Sequence, residues 1–243
     1  MIVRNLQLVR DRMTTACVAA GRNPAEVRLL AVSKKFGPEA VITAADDGQR
    51  SFGENYITEG VEKILALRAW QATHVAQAAQ SGQLASPLEW HCIGPVQSNK
   101  TRLVAEHFDW VQSVDRLKIA QRLSDQRPAH LPPLQICLQV NLDGGVNKSG
   151  VAPPALAELV HAVASLPGLT LRGLMTIPEP AADFESACAL HASAKALFDQ
   201  INRSGLLALP MDTLSMGMTA DLEAAIHSGS TMVRVGTAIF GER

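Results

Sequence analysis

Short stretches of this sequence carry side chains that could do chemistry together. Leu29-Leu30-Ala31-Val32-Ser33-Lys34-Lys35-Phe36-Gly37-Pro38 carries an apolar run to a lysine and stops it with Gly-Pro. A proline there lets a helix begin, since its missing N–H is no loss in a first turn. A partly desolvated amine at such a strand end has a lowered pKa and forms imines with carbonyl compounds. Ser215-Met216-Gly217-Met218-Thr219-Ala220-Asp221 passes from an apolar segment into a helix through small and hydroxyl residues. Val233-Arg234-Val235-Gly236-Thr237-Ala238 offers a second small-residue turn directly after an arginine. Exposed N–H groups at helix starts favour an anion. Each stretch also has a plainer reading: Lys34 reaches into solvent, Thr219 caps a helix, Gly236 turns the chain, Arg234 makes a buried ion pair.

The order of elements decides whether these stretches can meet. Apolar residues at Leu6, Val9, Met13, Ala16 and Ala20 predict a helix over residues 3–20, ended by Gly21-Arg22-Asn23-Pro24. Eight strand-like segments follow, at 29–34, 51–56 (with its loop), 88–94, 110–114, 134–142, 171–177, 213–218 and 232–235. Between them lie helical patterns at 38–47, 57–80, 97–106 (with Ser98 as cap), 115–124, 153–165, 184–204 and 220–227. Such alternation predicts parallel pairing with right-handed crossovers. For 243 residues the simplest closed form is an α/β fold: a single (β/α)8 TIM barrel with an extra N-terminal helix. A doubly wound open sheet is the alternative. No linker or composition shift appears, so residues 1–243 read as one domain.

In such a barrel the active face lies at the C-terminal strand ends, often with a phosphate between the loops after strands seven and eight. The segments at Ser215–Thr219 and Arg234–Thr237 fall there, and Lys34 faces the same mouth from strand one. Alternation leaves open whether Lys34 or Lys35 points inward, because both faces of a barrel strand are buried. His91 and Asn55 line the mouth or satisfy loop backbone. Asn147-Lys148-Ser149-Gly150 closes over the site or is an exposed turn. A lysine, a phosphate cradle and an arginine together fit pyridoxal 5'-phosphate, which needs an imine partner, a phosphate site and something at its ring nitrogen. A Schiff-base aldolase acting on a sugar phosphate would use the same lysine and phosphate site without a cofactor.

Composition narrows the setting. A net charge of −1 gives no electrostatic reason for a nucleic-acid or membrane-surface partner, and Gln97-Ser98-Asn99-Lys100-Thr101-Arg102 reads as a solvated helix start. No apolar run approaches bilayer length, and Met1-Ile2-Val3-Arg4-Asn5-Leu6 lacks the apolar core of a signal peptide. The expectation is a cytoplasmic, monomeric protein. Cys17, Cys92, Cys137 and Cys188 are widely spaced and the seven histidines scattered, which argues against a metal site or disulfides.

Read together, the motifs are recognisable. They are Ala31-Val32-Ser33-Lys34, Phe52-Gly53-Glu54-Asn55-Tyr56, Trp90-His91-Cys92-Ile93-Gly94 with Gln97-Ser98-Asn99-Lys100, Lys148-Ser149-Gly150, Arg172-Gly173-Leu174-Met175, Ser215-Met216-Gly217-Met218 and Val233 through Gly241. Over nearly the whole chain this pattern resembles the pyridoxal phosphate homeostasis proteins, single-domain relatives of the alanine racemase barrel. The resemblance implies that Lys34 forms a Schiff base with pyridoxal 5'-phosphate. It implies that Ser215, Gly217, Met218, Thr219, Gly236 and Thr237 hold the phosphate, that Arg234 contacts the ring nitrogen or the phosphate, and that Asn55 belongs to the same site. Two departures stand out: Lys35-Phe36-Gly37 replaces the family's Thr-Lys-Pro, and Thr219 replaces its Ser, keeping the hydroxyl. The implied role is to bind the cofactor, limit its free aldehyde and deliver it to dependent apoenzymes, without being an enzyme. The rival is an amino-acid racemase, which needs two positioned bases. In the racemases the second is a Tyr from an additional β domain, for which this chain has no residues; its only tyrosine is Tyr56.

Overall fold

A computed structural model of the chain describes residues 1–80, 87–144 and 149–242. The strands are β1 (Arg28–Val32), β2 (Ser51–Glu54), β3 (Glu89–Cys92), β4 (Trp110–Val114), β5 (Leu134–Val140), β6 (Leu169–Thr176), β7 (Thr213–Ser215) and β8 (Met232–Val235). They pair in sequence order and β8 closes on β1, every pair parallel. The expected (β/α)8 barrel is therefore closed, which removes the open-sheet alternative. Helices α1 (Ile2–Ala19), α2 (Pro38–Asp46), α3 (Ile57–Gln80), α4 (Thr101–His107), α5 (Leu117–Gln126), α6 (Leu156–Ala164), α7 (Phe184–Arg203), α8 (Leu222–His227) and α9 (Thr237–Phe240) cover it. Among the described residues no helix is long and apolar enough to cross a membrane.

Strand alternation separates two cores. Leu134, Ile136, Leu138 and Val140 of β5 belong to the large core beneath the helices. Cys137 instead packs with Trp110 and Met175, and Leu30, Val32 and Met232 form another small cluster with Ile93, the residue after β3; the alternation sets both apart from the large core. Layers of side chains thus fill the barrel, as its narrow bore requires.

The extra helix has a positional task. Leu6, Val9, Met13, Ala16 and Cys17 make the buried stripe of α1, which lies along α8 and α9. Asn5 Nδ2 donates to the Ile239 carbonyl at 3.0 Å, and Arg12 pairs with Glu223 while Nη2 donates to the Thr219 carbonyl at 3.1 Å. Helix α1 therefore braces the turns that follow β7 and β8.

Several boundaries differ from the sequence reading. β1 ends at Val32 and not at Lys34, because Lys35 turns into the left-handed region at φ 66° and takes the chain off the sheet. β7 stops at Ser215 because Gly217, at φ 92°, bends the chain; a Cβ there would lie 2.4 Å from that of Ala225. Ser98 is not a helix cap: residues 97–100 form a turn, its carbonyl accepts from Thr101 Oγ1 at 3.0 Å, and α4 starts at Thr101. Of the loop proposed to close the site, Asn147 and Lys148 lie outside the described residues.

Candidate cofactor site

The C-terminal mouth holds a cavity of about 590 Å³, and Lys34, Asn55, Met218, Thr219, Arg234, Gly236 and Thr237 all line it. Lys34 projects into it from the turn after β1. That lysine is exposed, so the protein by itself does not supply the desolvation expected of it.

The turn is held from behind by α3. Lys63 Nζ, buried, donates to the Ser33 carbonyl at 2.8 Å and pairs with Glu54 Oε1 at 2.6 Å. Ser33 Oγ donates to the same carboxylate oxygen at 2.6 Å. One turn earlier on α3, Glu59 Oε1 accepts the Lys35 backbone N–H at 2.5 Å. The residues on both sides of Lys34 are thus gripped, and the left-handed Lys35 is pinned by a charge-assisted hydrogen bond. Burial pushes the Glu54 carboxyl up, against the Lys63 charge that draws it down. Phe36 stacks near Phe240, ring centroids 5.2 Å apart, tying this turn to α9. Across from it, Gly94 lets the Asn55 backbone approach: a Cβ there would fall 1.9 Å from the Asn55 carbonyl oxygen.

From β8, the strand next to β1, Arg234 reaches the same cavity and is 4% exposed. Nη1 donates to Ser215 Oγ at 2.8 Å and Nη2 to the Thr176 carbonyl at 2.9 Å. Among the described residues no carboxylate pairs with it, so the plainer reading of a buried ion pair does not hold there. Burial lowers its pKa to about 10, with Asp221 at longer range opposing. A buried cation without an anion is costly. Beside it the hydroxyl of Thr176 is buried with no partner, as is Asn55 Oδ1 in the cavity wall.

The turn after β7 is shaped by Asp221, whose Oδ1 accepts the Met218 N–H at 2.7 Å and whose Oδ2 accepts from His191 Nε2 at 2.9 Å. Burial raises the Asp221 carboxyl, but these hydrogen bonds hold it low overall. The turn after β8 opens α9 at Thr237; the Ile239 and Phe240 N–H groups both donate to the Gly236 carbonyl at 2.9 Å, which leaves those of Thr237 and Ala238 without helical partners.

Two expected phosphate ligands lie elsewhere. Ser215 is fully buried, donates to Gln112 Oε1 at 2.6 Å and accepts from Arg234, so its hydroxyl is engaged away from the cavity. Gly217 stands behind the wall, its carbonyl taking the Arg234 backbone N–H at 3.0 Å. His91 is not at the mouth either. It lies within the barrel, stacked on Trp110 with centroids 5.0 Å apart, between Glu89 and Gln112. Sequence reasoning missed Glu59, Lys63, Gln112 and His191. Only the Glu59–Lys63 pair, four apart on a predicted helix, left a readable signal.

The residues fit pyridoxal 5'-phosphate. The exposed Lys34 side chain, the buried Arg234 guanidinium, the orphaned Asn55 Oδ1 and the start of α9 line one cavity, matching the aldehyde, polar ring and phosphate of that molecule.

Comparison with known proteins defines the class first. Residues 4–243 match the family model described as "Alanine racemase, N-terminal domain". The "Pyridoxal phosphate homeostasis protein" of Pseudomonas aeruginosa is 52% identical over 242 residues, covering 100% of this chain and 96% of the relative. That of Escherichia coli K12 is 49% identical over 249 residues, covering 100% and 97%. Among solved structures, PipY of Synechococcus elongatus with PLP bound superposes with a TM-score of 0.78 at 31% identity, covering 99% of this chain and 100% of PipY. The chain belongs to the pyridoxal phosphate homeostasis protein family, built on the alanine racemase N-terminal barrel.

Proposed function

We propose that this chain binds pyridoxal 5'-phosphate, holding the aldehyde as a Schiff base with Lys34 and the phosphate at the turns of Met218-Thr219 and Gly236-Thr237. The observation that carries the reading is Arg234, a buried guanidinium that no carboxylate among the described residues pairs with, lining the same cavity as the exposed Lys34. Its likeness to relatives named for pyridoxal phosphate homeostasis and to a PLP-bound structure supports the same reading. Bound there, the cofactor supplies an electrophilic aldehyde and an electron-withdrawing ring. This chain's part is to hold it: Lys34 takes the aldehyde, Arg234 orients the ring or phosphate, and Asn55 offers a polar contact from the second loop.

The role that follows is homeostasis in the cytoplasm by a monomer, keeping free aldehyde low and passing the cofactor to dependent apoenzymes. A racemase needs a second base opposite the lysine. Tyr56 is half exposed and does not line the cavity, so racemase turnover is expected to be negligible. The test is direct. Purified protein mixed with the cofactor should show an imine absorbance, fix the cofactor to Lys34 on borohydride reduction, and lose both in Lys34→Ala. A protein that stays colourless under reconstitution favours the aldolase reading, and rapid racemisation of alanine or serine overturns the non-catalytic one.

A further inference from the structure

We propose that Ser215, Gln112 and His91 are positioning residues for Arg234, acting through a hydrogen-bond relay that crosses the barrel interior from Glu89. The proposal rests on the reading of the mouth as a pyridoxal phosphate site and names what orients its buried arginine.

The relay has four links. Arg234 Nη1 donates to Ser215 Oγ at 2.8 Å, and Ser215 Oγ donates to Gln112 Oε1 at 2.6 Å. Gln112 Nε2 then meets His91 Nδ1 at 2.9 Å, and His91 Nε2 meets Glu89 Oε1 at 2.8 Å. The strands supply one member each from β4, β7 and β8, and two from β3. Glu89 and His91 are two residues apart on β3, hence on one face.

With the Gln112 amide oxygen toward Ser215, as the structure places it, the end groups give one direction of donation. A guanidinium only donates and a carboxylate only accepts. Ser215 must therefore accept from Arg234 and give its proton to Gln112. The Gln112 oxygen is thereby spent, so its amide nitrogen donates to His91 Nδ1. Nδ1 must then be bare, and Nε2 carries the proton to Glu89. The Gln112 nitrogen also lies 3.1 Å from Met232 Sδ, a weak acceptor that agrees with this orientation of the amide. Burial keeps His91 below its ordinary pKa, consistent with a neutral ring, and the donated hydrogen bond holds Glu89 low at about 2 despite burial that would raise it.

Ser215, Gln112 and His91 are each fully buried, so no water replaces a missing link. Removing the His91 ring would leave the Gln112 nitrogen with only the thioether, freeing the amide to turn over. Its NH2 would then crowd Arg234 at the Ser215 oxygen, and the Ser215 proton would lose its acceptor. Loss of an acceptor on β3 is thus transmitted to an arginine on β8 that it does not touch. This gives Ser215 a different task from the phosphate contact its family motif implies.

The experiment uses the full chain with pyridoxal 5'-phosphate, reading dissociation constant and absorption maximum of the bound form. Ser215→Ala and His91→Leu should each weaken binding roughly tenfold, the scale of a lost hydrogen bond to a charged group. Both should displace the absorption maximum in the same direction. His91→Asn, whose Oδ1 falls where Nδ1 stood, should recover affinity and spectrum. Gln112→Met cuts the same link if His91→Leu does not fold. In cofactor-free wild type, nitrogen NMR of His91 should report the neutral Nε2–H tautomer. A protonated or Nδ1–H ring overturns the relay, as do folded Ser215→Ala and Gln112→Met variants with wild-type affinity and spectrum. A wild-type chain that takes up no cofactor overturns the site assignment itself, and with it the role of the relay.

Discussion

Replacing Lys63 with methionine removes the cation that compensates a carboxylate sealed behind the turn of Lys34. The two side chains are 3% and 0% exposed, and Glu54 Oε2 already has no hydrogen-bond partner. Without the ammonium, Glu54 is left with the Ser33 hydroxyl alone. Its cheapest response is to fold protonated. Taking up a proton at pH 7 by a group that ordinarily titrates near 4.3 costs at most about 3.7 kcal/mol, and at pH 5 about 1 kcal/mol. The pH 7 figure falls within the roughly 3–5 kcal/mol typical of breaking a buried ion pair from one side.

The sign follows from linkage. In the variant the folded pKa of Glu54 lies above its unfolded value, so between the two the folded state binds the extra proton. Stability is then fully present below the unfolded pKa and lost as pH rises through the folded one. Urea unfolding of Lys63→Met should show its largest deficit against wild type at pH 7.5 and a much smaller one at pH 5. Adding Glu54→Gln should restore most of the loss and remove the pH dependence. Because Lys63 also holds the Ser33 carbonyl and contacts Glu59, imine formation at Lys34 should slow as well. A deficit below about 1 kcal/mol at pH 7.5, or one that does not shrink on acidification, refutes the argument that the pair is buried and mutually dependent.

Two further outcomes are expected. Lys35→Gly removes a non-glycine side chain from φ 66°, relieving about 1 kcal/mol of strain, less the greater chain entropy of glycine. The net result is an unchanged or slightly raised Tm by calorimetry, whereas Lys35→Val should lower it. Asp221→Ala releases the Met218 N–H and leaves His191 Nε2 without its acceptor, so the turn after β7 loosens and cofactor affinity should fall roughly tenfold in a titration. The low folded pKa of Asp221 makes its contribution one that is present above the unfolded aspartate value and lost as pH falls; the variant should lack that part of the acid sensitivity.

The sequence by itself determined the element order and made a closed barrel with its site at the C-terminal strand ends the simplest form; closure itself was decided by the strand pairing. Eight apolar segments alternating with helices leave few ways to close, and strand-end positions follow from where apolar runs stop. Lys34, Asn55, Met218, Thr219, Arg234, Gly236 and Thr237 were found on that basis together with family likeness, and the structure gathers them around one cavity. What a period of two cannot supply is direction, because both faces of a barrel strand are buried. His91 and Ser215 therefore read as mouth residues when they lie inside, spent on Gln112 and on each other's neighbours. Pairings such as Ser215 with Gln112, 103 residues away, leave no local trace in composition or spacing. The turn after Lys34 shows the same limit. Its unusual Lys35-Phe36-Gly37 is visible in the sequence, but only α3 folding over it reveals that Glu59 and Lys63 hold the lysine's neighbours in place.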